Sequence, residues 1–219
     1  MKVAAERIPA GEAAGTKLSA RERLLGAADD LFYEFGINNV GIERVIEKAG
    51  VAKASLYDCF GSKEELARSY VEIRDARRRA RITARLAGFS TPREKVGAVF
   101  DLLAEIAGQA NFRGCAFNRA GAESIPGSKV RGACEQARDW MSKLFQGLAE
   151  EAGVANPGEL ARSLSLLYDG ASTSAHFGGG KAAVAEARDS ADLLVRSAPV
   201  ASRRQAQSAT PRRRQPSRR

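Results

Sequence analysis

The sequence of 219 residues predicts an all-α fold of about nine helices. Apolar residues recur at intervals of three and four, which is the spacing of one face of a helix. Capping patterns, in which a hydroxyl residue precedes a glutamate by three positions, begin at Ser19, Ser62 and Thr91. No stretch alternates apolar and polar residues as a half-buried strand does. Helices therefore account for the predicted architecture.

The first helix is predicted to begin after Ser19, which forms a capping box with Glu22, and to end at Gly36. Residues 1–18 are small, polar and of mixed charge, so we expect a disordered arm there. The buried face of this helix is expected to carry Leu24, Ala28, Leu31, Phe32 and Phe35.

Residues 40–66 predict a helix-turn-helix motif. Apolar residues recur at helical spacing up to Ala49, Gly50 tolerates a left-handed turn, and a second short helix can begin near Lys53. Such a helix fits the DNA major groove, where its N-terminal residues meet base edges. A helical hairpin that only packs is the alternative when these two helices are considered alone.

The second helix of the motif divides its residues between core and surface. Leu56 and Phe60 are expected to point inward. The residues left available to a partner are Lys53, Ala54, Ser55, Tyr57 and Asp58.

The flanks of the motif carry a resemblance to a known family. The patterns AA..LF...G, AGV.K..LY..F and SKE.L follow one another in residues 23–66, which closely resemble the DNA-binding domain of the TetR family of bacterial transcriptional regulators. Three positions depart from the family pattern. Ala52 replaces the usual Ser or Thr cap, a loss of about 1 kcal/mol. Cys59 stands where His is frequent, and Gly41 where Thr or Ser is usual.

The resemblance implies how this domain meets double-stranded DNA. Tyr57 and Lys63 would contact phosphates, while Lys53, Ala54 and Ser55 would face base edges. The full set of residues expected at the DNA is Arg44, Lys53, Ala54, Ser55, Tyr57, Asp58 and Lys63.

A long fourth helix is predicted from Ser62 into the high eighties, opened by a capping box and ending near Gly88. Its second half, residues 74–81, is strongly basic. We interpret this half as a solvated helix face.

The rest of the chain predicts further helices. One begins at Thr91 with proline in its first turn, a long one spans about 128–153, and Asn156 opens another through a cap-proline-glutamate pattern. Glycines 178–180 interrupt the helix that Asn156 opens, and a last helix follows them. Residues 112–123 contain a GC-x-F-x-N-x-x-x-E segment that resembles the regulatory domain of one branch of the TetR family.

The resemblance also implies a ligand pocket in the C-terminal part and a homodimer built on its last two long helices. Ala171, Ala175, Ala187 and Ala191 would allow the partner to approach closely. Asn118 needs a polar partner, which could be a ligand, Glu123 or a cap. Candidate wall residues, with filling of the core as the alternative, are Phe100, Leu103, Phe117, Asn118, Trp140, Leu144 and Tyr168.

Catalytic chemistry finds little support in the sequence. Cys115 could be a nucleophile, but His176 is distant in sequence, and a buried thiol is our interpretation. Neither a phosphate-binding loop nor a dinucleotide fingerprint is present. Three cysteines, an odd number, fit reduced thiols. We therefore expect no enzyme, no metal and no cofactor.

Location and charge complete the prediction. No run of 18 apolar residues exists and the N-terminus lacks a signal-peptide core, so we expect a cytoplasmic protein without a membrane partner. The net charge of the chain is +9, but seven of these positive charges are arginines from Arg203 onward, and the rest of the chain carries only +2. DNA binding is therefore argued from the motif. The tail itself could contact DNA or stay solvated.

The domains expected are an arm at 1–18, a DNA-binding head at 19–66, a ligand-binding and dimerisation body at 67–197, and a disordered arginine-rich tail at 198–219. The function expected is that of a ligand-responsive repressor, which a small molecule releases from a palindromic operator. The alternative is a small-molecule-binding helical protein that no longer reads DNA, a hypothesis motivated by Ala52 and Asp58.

Overall fold

The computed structural model describes residues 18–201, and within them the all-α prediction is confirmed. The only β pairing in this part of the chain is an isolated bridge between Val154 and Val200. Residues 1–17 and 202–219, which include most of the predicted arm and tail, lie outside the described residues. The helices are α1 (Ala20–Phe35), α2 (Ile42–Ala49), α3 (Lys53–Phe60), α4 (Lys63–Leu86), α5 (Pro92–Ala107), α6 (Ala116–Glu123), α7 (Lys129–Glu151), α8 (Pro157–Ser174), a π-helical turn (Ala175–Gly179) and α9 (Gly180–Ser197).

Side-chain caps mark the starts of α1, α4, α5 and α7. Ser19 and Thr91 form the complete reciprocal boxes that their sequence predicts. Ser62 accepts a hydrogen bond from the Glu65 amide at 3.1 Å, but the Glu65 carboxylate bonds to Arg68 and Lys129 instead of returning to the cap. The predicted box at α4 is therefore wrong in its second half, because Arg68 on the next turn and the distant Lys129 compete for the glutamate.

The start of α8 also differs from its prediction. Pro157 occupies the first turn as expected, but the Asn156 side chain makes no capping hydrogen bond. The Asn156 backbone lies at φ −123° and ψ 70°, away from the extended conformation that the capping residues of α1 and α5 adopt.

Two hydrophobic clusters share α4. The first joins α1, α2, α3 and α6 to the beginnings of α4 and α7. Within it the Phe32 and Tyr70 rings meet edge to face at 5.6 Å. The second joins α5, α8, α9 and the remainder of α7 to Ile82 on the far half of α4. The division into domains at residue 66 stays a prediction, because the first cluster includes Tyr70 and Val71.

Small residues on the last helices are used inside the protomer. Ala171, Ala175, Ala187 and Ala191 are all buried in the second cluster, with at most 8% of their surface exposed. Our expectation that these four alanines meet a partner subunit is wrong, because α8 and α9 bring them against their own core.

The first residues of the predicted tail are paired. The Ala155 amide donates to the Pro199 carbonyl at 2.7 Å, and the Ala201 amide donates to the Gly153 carbonyl at 2.8 Å. Residues 198–201 therefore lie against the loop between α7 and α8, where backbone hydrogen bonds hold them.

Two hydrogen bonds between Asn38 and Glu123 join α6 to the loop after α1. The Glu123 carboxylate accepts from the Asn38 amide at 2.9 Å, and the Asn38 side chain donates to the Glu123 carbonyl at 2.9 Å. Gly36 has a φ of +89° and a ψ of 155°, and a Cβ there would lie 2.6 Å from the Glu123 carboxylate. Only glycine therefore suits the position sterically.

We expect Gly36→Ala to lower the free energy of unfolding. Backbone strain alone would cost about 1–3 kcal/mol, and the loss should be larger because the Glu123 carboxylate must also move. Gly61→Ala is the control, since Gly61 has a φ of +74° but open space around its Cβ position. Denaturant unfolding of both variants measures the difference. Equal losses would contradict the role given to Glu123.

Candidate functional site

Helix α3 presents a continuous polar face outside the first cluster. Leu56 and Phe60 are buried as predicted. Lys53, Ala54, Tyr57 and Asp58 are exposed, while Ser55 is half-buried. The side chains that we predict to contact DNA therefore lie on the outward face of α3. Lys53 and Ala54 occupy the first two positions of the helix.

The turn before α3 is held from α1. Gly50 ends α2 in the left-handed conformation at φ 62° and ψ 45°. The Arg23 guanidinium donates to the Gly50 carbonyl at 2.9 Å and to the Ala49 carbonyl at 3.3 Å. A cation at the C-terminus of α2 satisfies carbonyls that the helix leaves without partners. Arg23 therefore fixes the angle between α2 and α3.

The N-terminus of α3 lacks a side-chain cap, as Ala52 predicts. Instead, Lys53 Nζ lies 3.1 Å from Glu43 Oε1. The hydrogen bond with Glu43 raises the pKa of Lys53, so this lysine stays charged. Because both side chains are exposed, Lys53 can exchange Glu43 for another anion at little cost.

The remaining predicted DNA residues flank α3. The Arg44 guanidinium lies 4.0 Å from the centre of the Phe35 ring. Lys63 is the first residue of α4 and has no ion-pair partner within residues 18–201. Their contacts with DNA stay predictions.

A cavity of about 380 Å³ lies where α1, α4, α5, α6 and α8 meet the loop before α6. Leu103, Phe117 and Tyr168 line it, as predicted. The other wall residues are Asp29, Tyr33, Arg74, Arg77, Arg78, Ala80, Arg81, Ile106, Gln109, Asn111, Phe112, Gly114, Cys115, Ala116 and Ser172.

Four candidate ligand residues lie elsewhere. Phe100 is fully buried and stacks on Phe145 at 6.2 Å, so it fills the core. Trp140 and Leu144 pack against the second cluster, and neither they nor Asn118 belong to the cavity wall.

The Asn118 amide finds a partner that the sequence did not suggest. Its Nδ2 donates to Asp169 Oδ1 at 3.3 Å, whereas Glu123 is engaged with Asn38. The Asn118 Oδ1 atom is buried without a hydrogen-bond partner among the described residues.

Four arginines of the basic half of α4 line this cavity, so the interpretation of this half as a solvated face is wrong for Arg74, Arg77 and Arg78, whereas Arg81 is also exposed to solvent. Arg74, Arg77, Arg78 and Arg81 all line the wall. Asp29 of α1, which is buried, is bound by Arg74 Nε and lies 2.8 Å from Arg77 Nη1. The spacing of the four arginines, which places them on one helical face, was the signal in the sequence.

Arg78 is the most enclosed of these arginines. Its Nη2 donates to Asp75 Oδ1 at 2.7 Å and also reaches the Ala137 carbonyl. Its guanidinium lies 4.1 Å from the centre of the Phe117 ring. Its Nε is buried and lacks a hydrogen-bond partner within residues 18–201.

Burial keeps two titratable groups of the cavity wall, Cys115 and Tyr168, in their neutral forms. Burial raises the pKa of the Cys115 thiol, which therefore stays protonated and a poor nucleophile at neutral pH. Burial raises the pKa of Tyr168 to about 12, so its hydroxyl is uncharged. His176, which is distant from Cys115 in sequence, packs near the loop before α6, and its ring lies 6.5 Å from the Phe112 ring. No hydrogen bond joins His176 to Cys115 in the described part of the chain.

Metal binding and membrane insertion find no support within residues 18–201. No group of three or more His, Cys, Asp or Glu residues there is placed to hold a metal ion. None of the described helices combines the length and hydrophobicity that a bilayer crossing requires.

Comparisons with known proteins agree on one family. Residues 24–70 match the family model described as bacterial regulatory proteins, tetR family. The HTH-type transcriptional regulator LmrA of Bacillus subtilis (strain 168) is 30% identical over 127 residues, which cover 56% of this chain and 68% of LmrA.

Solved structures extend the likeness beyond the head. SCO4454, a TetR-family regulator from Streptomyces coelicolor, is 30% identical, with a TM-score of 0.78 over 82% of this chain and 95% of its own. The sav143 regulator from Streptomyces avermitilis is 32% identical, with a TM-score of 0.70 over 80% of this chain and 99% of its own. The chain therefore belongs to the TetR family of DNA-binding transcriptional regulators.

Proposed function

We propose that this protein is a homodimeric repressor that a small molecule, bound in the cavity, releases from a palindromic operator. One observation carries the proposal: the cavity wall includes Asp29 and Tyr33 of α1 beside residues of α5, α6 and α8. A ligand there would touch the first helix of the head and the body together. In this proposal residues 19–66 form the head and 67–197 the body.

The loop before α6 supports this coupling. Tyr33 Oη accepts from the Arg113 amide at 3.0 Å and donates to the Gly114 carbonyl at 3.1 Å. Arg119 donates to the Tyr33 carbonyl at 2.7 Å. Gly114 also lines the cavity, so a ligand that displaces this loop alters the contacts of α1. A ligand acts by its differential affinity for two states, typically about 1–3 kcal/mol.

The DNA contacts proposed for the head follow from its outward face. Tyr57 and Lys63 contact phosphates, Lys53, Ala54 and Ser55 face base edges, and Arg44 and Asp58 flank them. Lys53 leaves Glu43 when DNA binds. Reading a palindrome requires two copies of α3 about 34–36 Å apart, which a two-fold dimer supplies.

The dimer is supported by exposed apolar residues on the last helices. Leu166 is 72% exposed, Phe177 82% and Leu193 60%. Gly170, four residues after Leu166, is also exposed and lies on the same face of α8. Large apolar side chains exposed on the last two long helices and the turn between them favour an interface there, and a two-fold interface reuses the same surface on both subunits.

Footprinting on the DNA that flanks the gene tests the function. The repressor proposal expects a protected palindrome, lost when the effector binds. The second candidate, a ligand-binding protein that no longer reads DNA, is motivated by the uncapped start of α3 at Ala52 and by the exposed Asp58. That candidate expects no sequence-dependent protection at any protein concentration.

We expect Lys63→Ala and Tyr57→Phe to weaken binding to all operator variants to a similar extent, because phosphate contacts carry no sequence information. For Lys63→Ala, the slope of log affinity against log salt should fall by about 0.9 for each lysine lost. Ser55→Ala should instead change the preference between operator variants. Fluorescence anisotropy at several salt concentrations measures all three variants.

Lys143→Ala is the control for charge, since Lys143 is exposed on α7 in the body. It should leave operator binding unchanged. Altered base preference in Lys63→Ala, with its overall affinity intact, would contradict the assignment of Lys63 to a phosphate.

We expect Leu166→Glu or Leu193→Glu to dissociate the dimer, because an unpaired carboxylate buried in the interface costs several kcal/mol. Sedimentation velocity should show monomers, and operator affinity should fall with them. Ile125→Glu is the matched control, since Ile125 is 76% exposed but lies after α6. A dimer unaffected by both leucine changes would place the interface on another surface.

A further inference from the structure

The cavity has a strong excess of positive charge. Its wall holds four arginines of α4 and a single carboxylate, Asp29. Asp75, which neutralises part of this charge, is shared by Arg78 and Arg79 through hydrogen bonds of 2.7 and 2.6 Å. Four arginines against one lining carboxylate leave the wall with a net charge of +3, part of which Asp75 offsets from outside the wall. Of the four, Arg81 alone has no carboxylate partner among the described residues.

Two of the arginines retain donors for a further partner. Arg78 Nε is buried and unpartnered within residues 18–201, and an unsatisfied buried donor of a charged group carries a desolvation penalty. Arg81 also lines the wall and makes no ion pair with any described residue. The guanidinium fork of arginine suits a carboxylate or another planar anion.

The wall also has an apolar part. Leu103, Ile106, Phe112, Phe117 and Tyr168 contribute aliphatic and aromatic surface. The Tyr168 hydroxyl is neutral, so it can donate a hydrogen bond but adds no negative charge. This combination of apolar surface with a few polar groups is typical of a small-molecule site.

We propose that the cavity binds a small organic anion with an aromatic or apolar body, its charged group held by Arg78 and Arg81. This inference deepens the proposed function and rests on it for the effect on DNA. The anion binds with its apolar body against α5, α6 and α8 and its charge toward α4.

The Asp29 carboxylate competes with a bound anion for the arginines of this cavity. Its carboxylate, carried by α1 of the head, occupies Arg74 and Arg77 inside the same cavity. An anion held by Arg78 and Arg81 also attracts Arg74 and Arg77 and so competes with Asp29 for them, since all four arginines lie on one face of α4. The exchange loosens α1 from α4 and so couples anion binding to the position of the head.

Calorimetric titration of the full-length protein, without DNA, with 2-naphthoate and its neutral isostere 2-naphthamide tests the charge preference. We expect 2-naphthoate to bind more tightly by about tenfold or more, and more weakly as salt rises. Arg81→Gln should remove most of the difference. Equal affinity for the two compounds, or binding of neither at millimolar concentration, would overturn the proposal.

Arg85→Gln is the matched control, because Arg85 lies one turn further along α4 and pairs with Glu105 outside the cavity wall. It should keep the preference for 2-naphthoate. If Arg85→Gln lost the preference for 2-naphthoate to the same extent as Arg81→Gln, the preference would come from the overall charge of α4. That result would overturn the proposed anion site.

The competitor is tested by Asp29→Asn. Removing the carboxylate should raise the affinity for 2-naphthoate several-fold and leave that for 2-naphthamide unchanged, because Arg74 and Arg77 become available. A purely structural ion pair would predict an unchanged or lower affinity, which would overturn the competition. Asp30→Asn is the control, since Asp30 pairs with Lys48 at 2.9 Å and does not line the cavity. Thermal unfolding of both variants verifies that each is folded.

The same titrations separate this inference from the proposed function. If 2-naphthoate binds with the expected preference but leaves operator affinity unchanged, the anion site stands and the ligand response fails. If footprinting finds a palindrome and neither naphthalene compound binds, the DNA-binding role stands and the anion site is wrong.

Discussion

Helix α4 packs into both hydrophobic clusters, and the relation between the head and the cavity depends on that packing. Tyr70 and Val71 belong to the first cluster, and Ile82 belongs to the second. The helix is continuous from Lys63 to Leu86, so its backbone hydrogen bonds resist bending between the two clusters. Close-packed cores adopt discrete arrangements and transmit small shifts, so in the proposed ligand response α4 would carry movement at the cavity to the first cluster.

The polar contacts between α1 and α4 are of a different kind from this apolar packing. Partly buried ion pairs give little net stability, because desolvation of the charges offsets their attraction. Replacing the Asp29 carboxylate on Arg74 and Arg77 by another carboxylate keeps the number of ion pairs constant. In the proposed response, such an exchange would leave the apolar surface of both clusters buried.

Features that depend on a few neighbouring residues were predictable. The capping boxes at Ser19 and Thr91, the turn at Gly50 and the inward direction of Leu56 and Phe60 are confirmed, because each is decided within one or two helical turns. The box at Ser62 failed in part because Lys129, more than sixty residues away, takes its glutamate. Of the candidate ligand residues, Leu103, Phe117 and Tyr168 reach the cavity, whereas Phe100 satisfies the same pattern and fills the core.

By itself, then, the sequence determined the helices, the helix-turn-helix head and the family, since periodicity, caps and motif spacing are local properties. The tertiary structure decided which faces meet. It placed Arg74, Arg77 and Arg78 in the wall of a cavity, and it turned Ala171 and Ala187 toward their own core instead of a partner. A charged or small side chain is compatible with several environments, and only the packing of distant helices selects one of them.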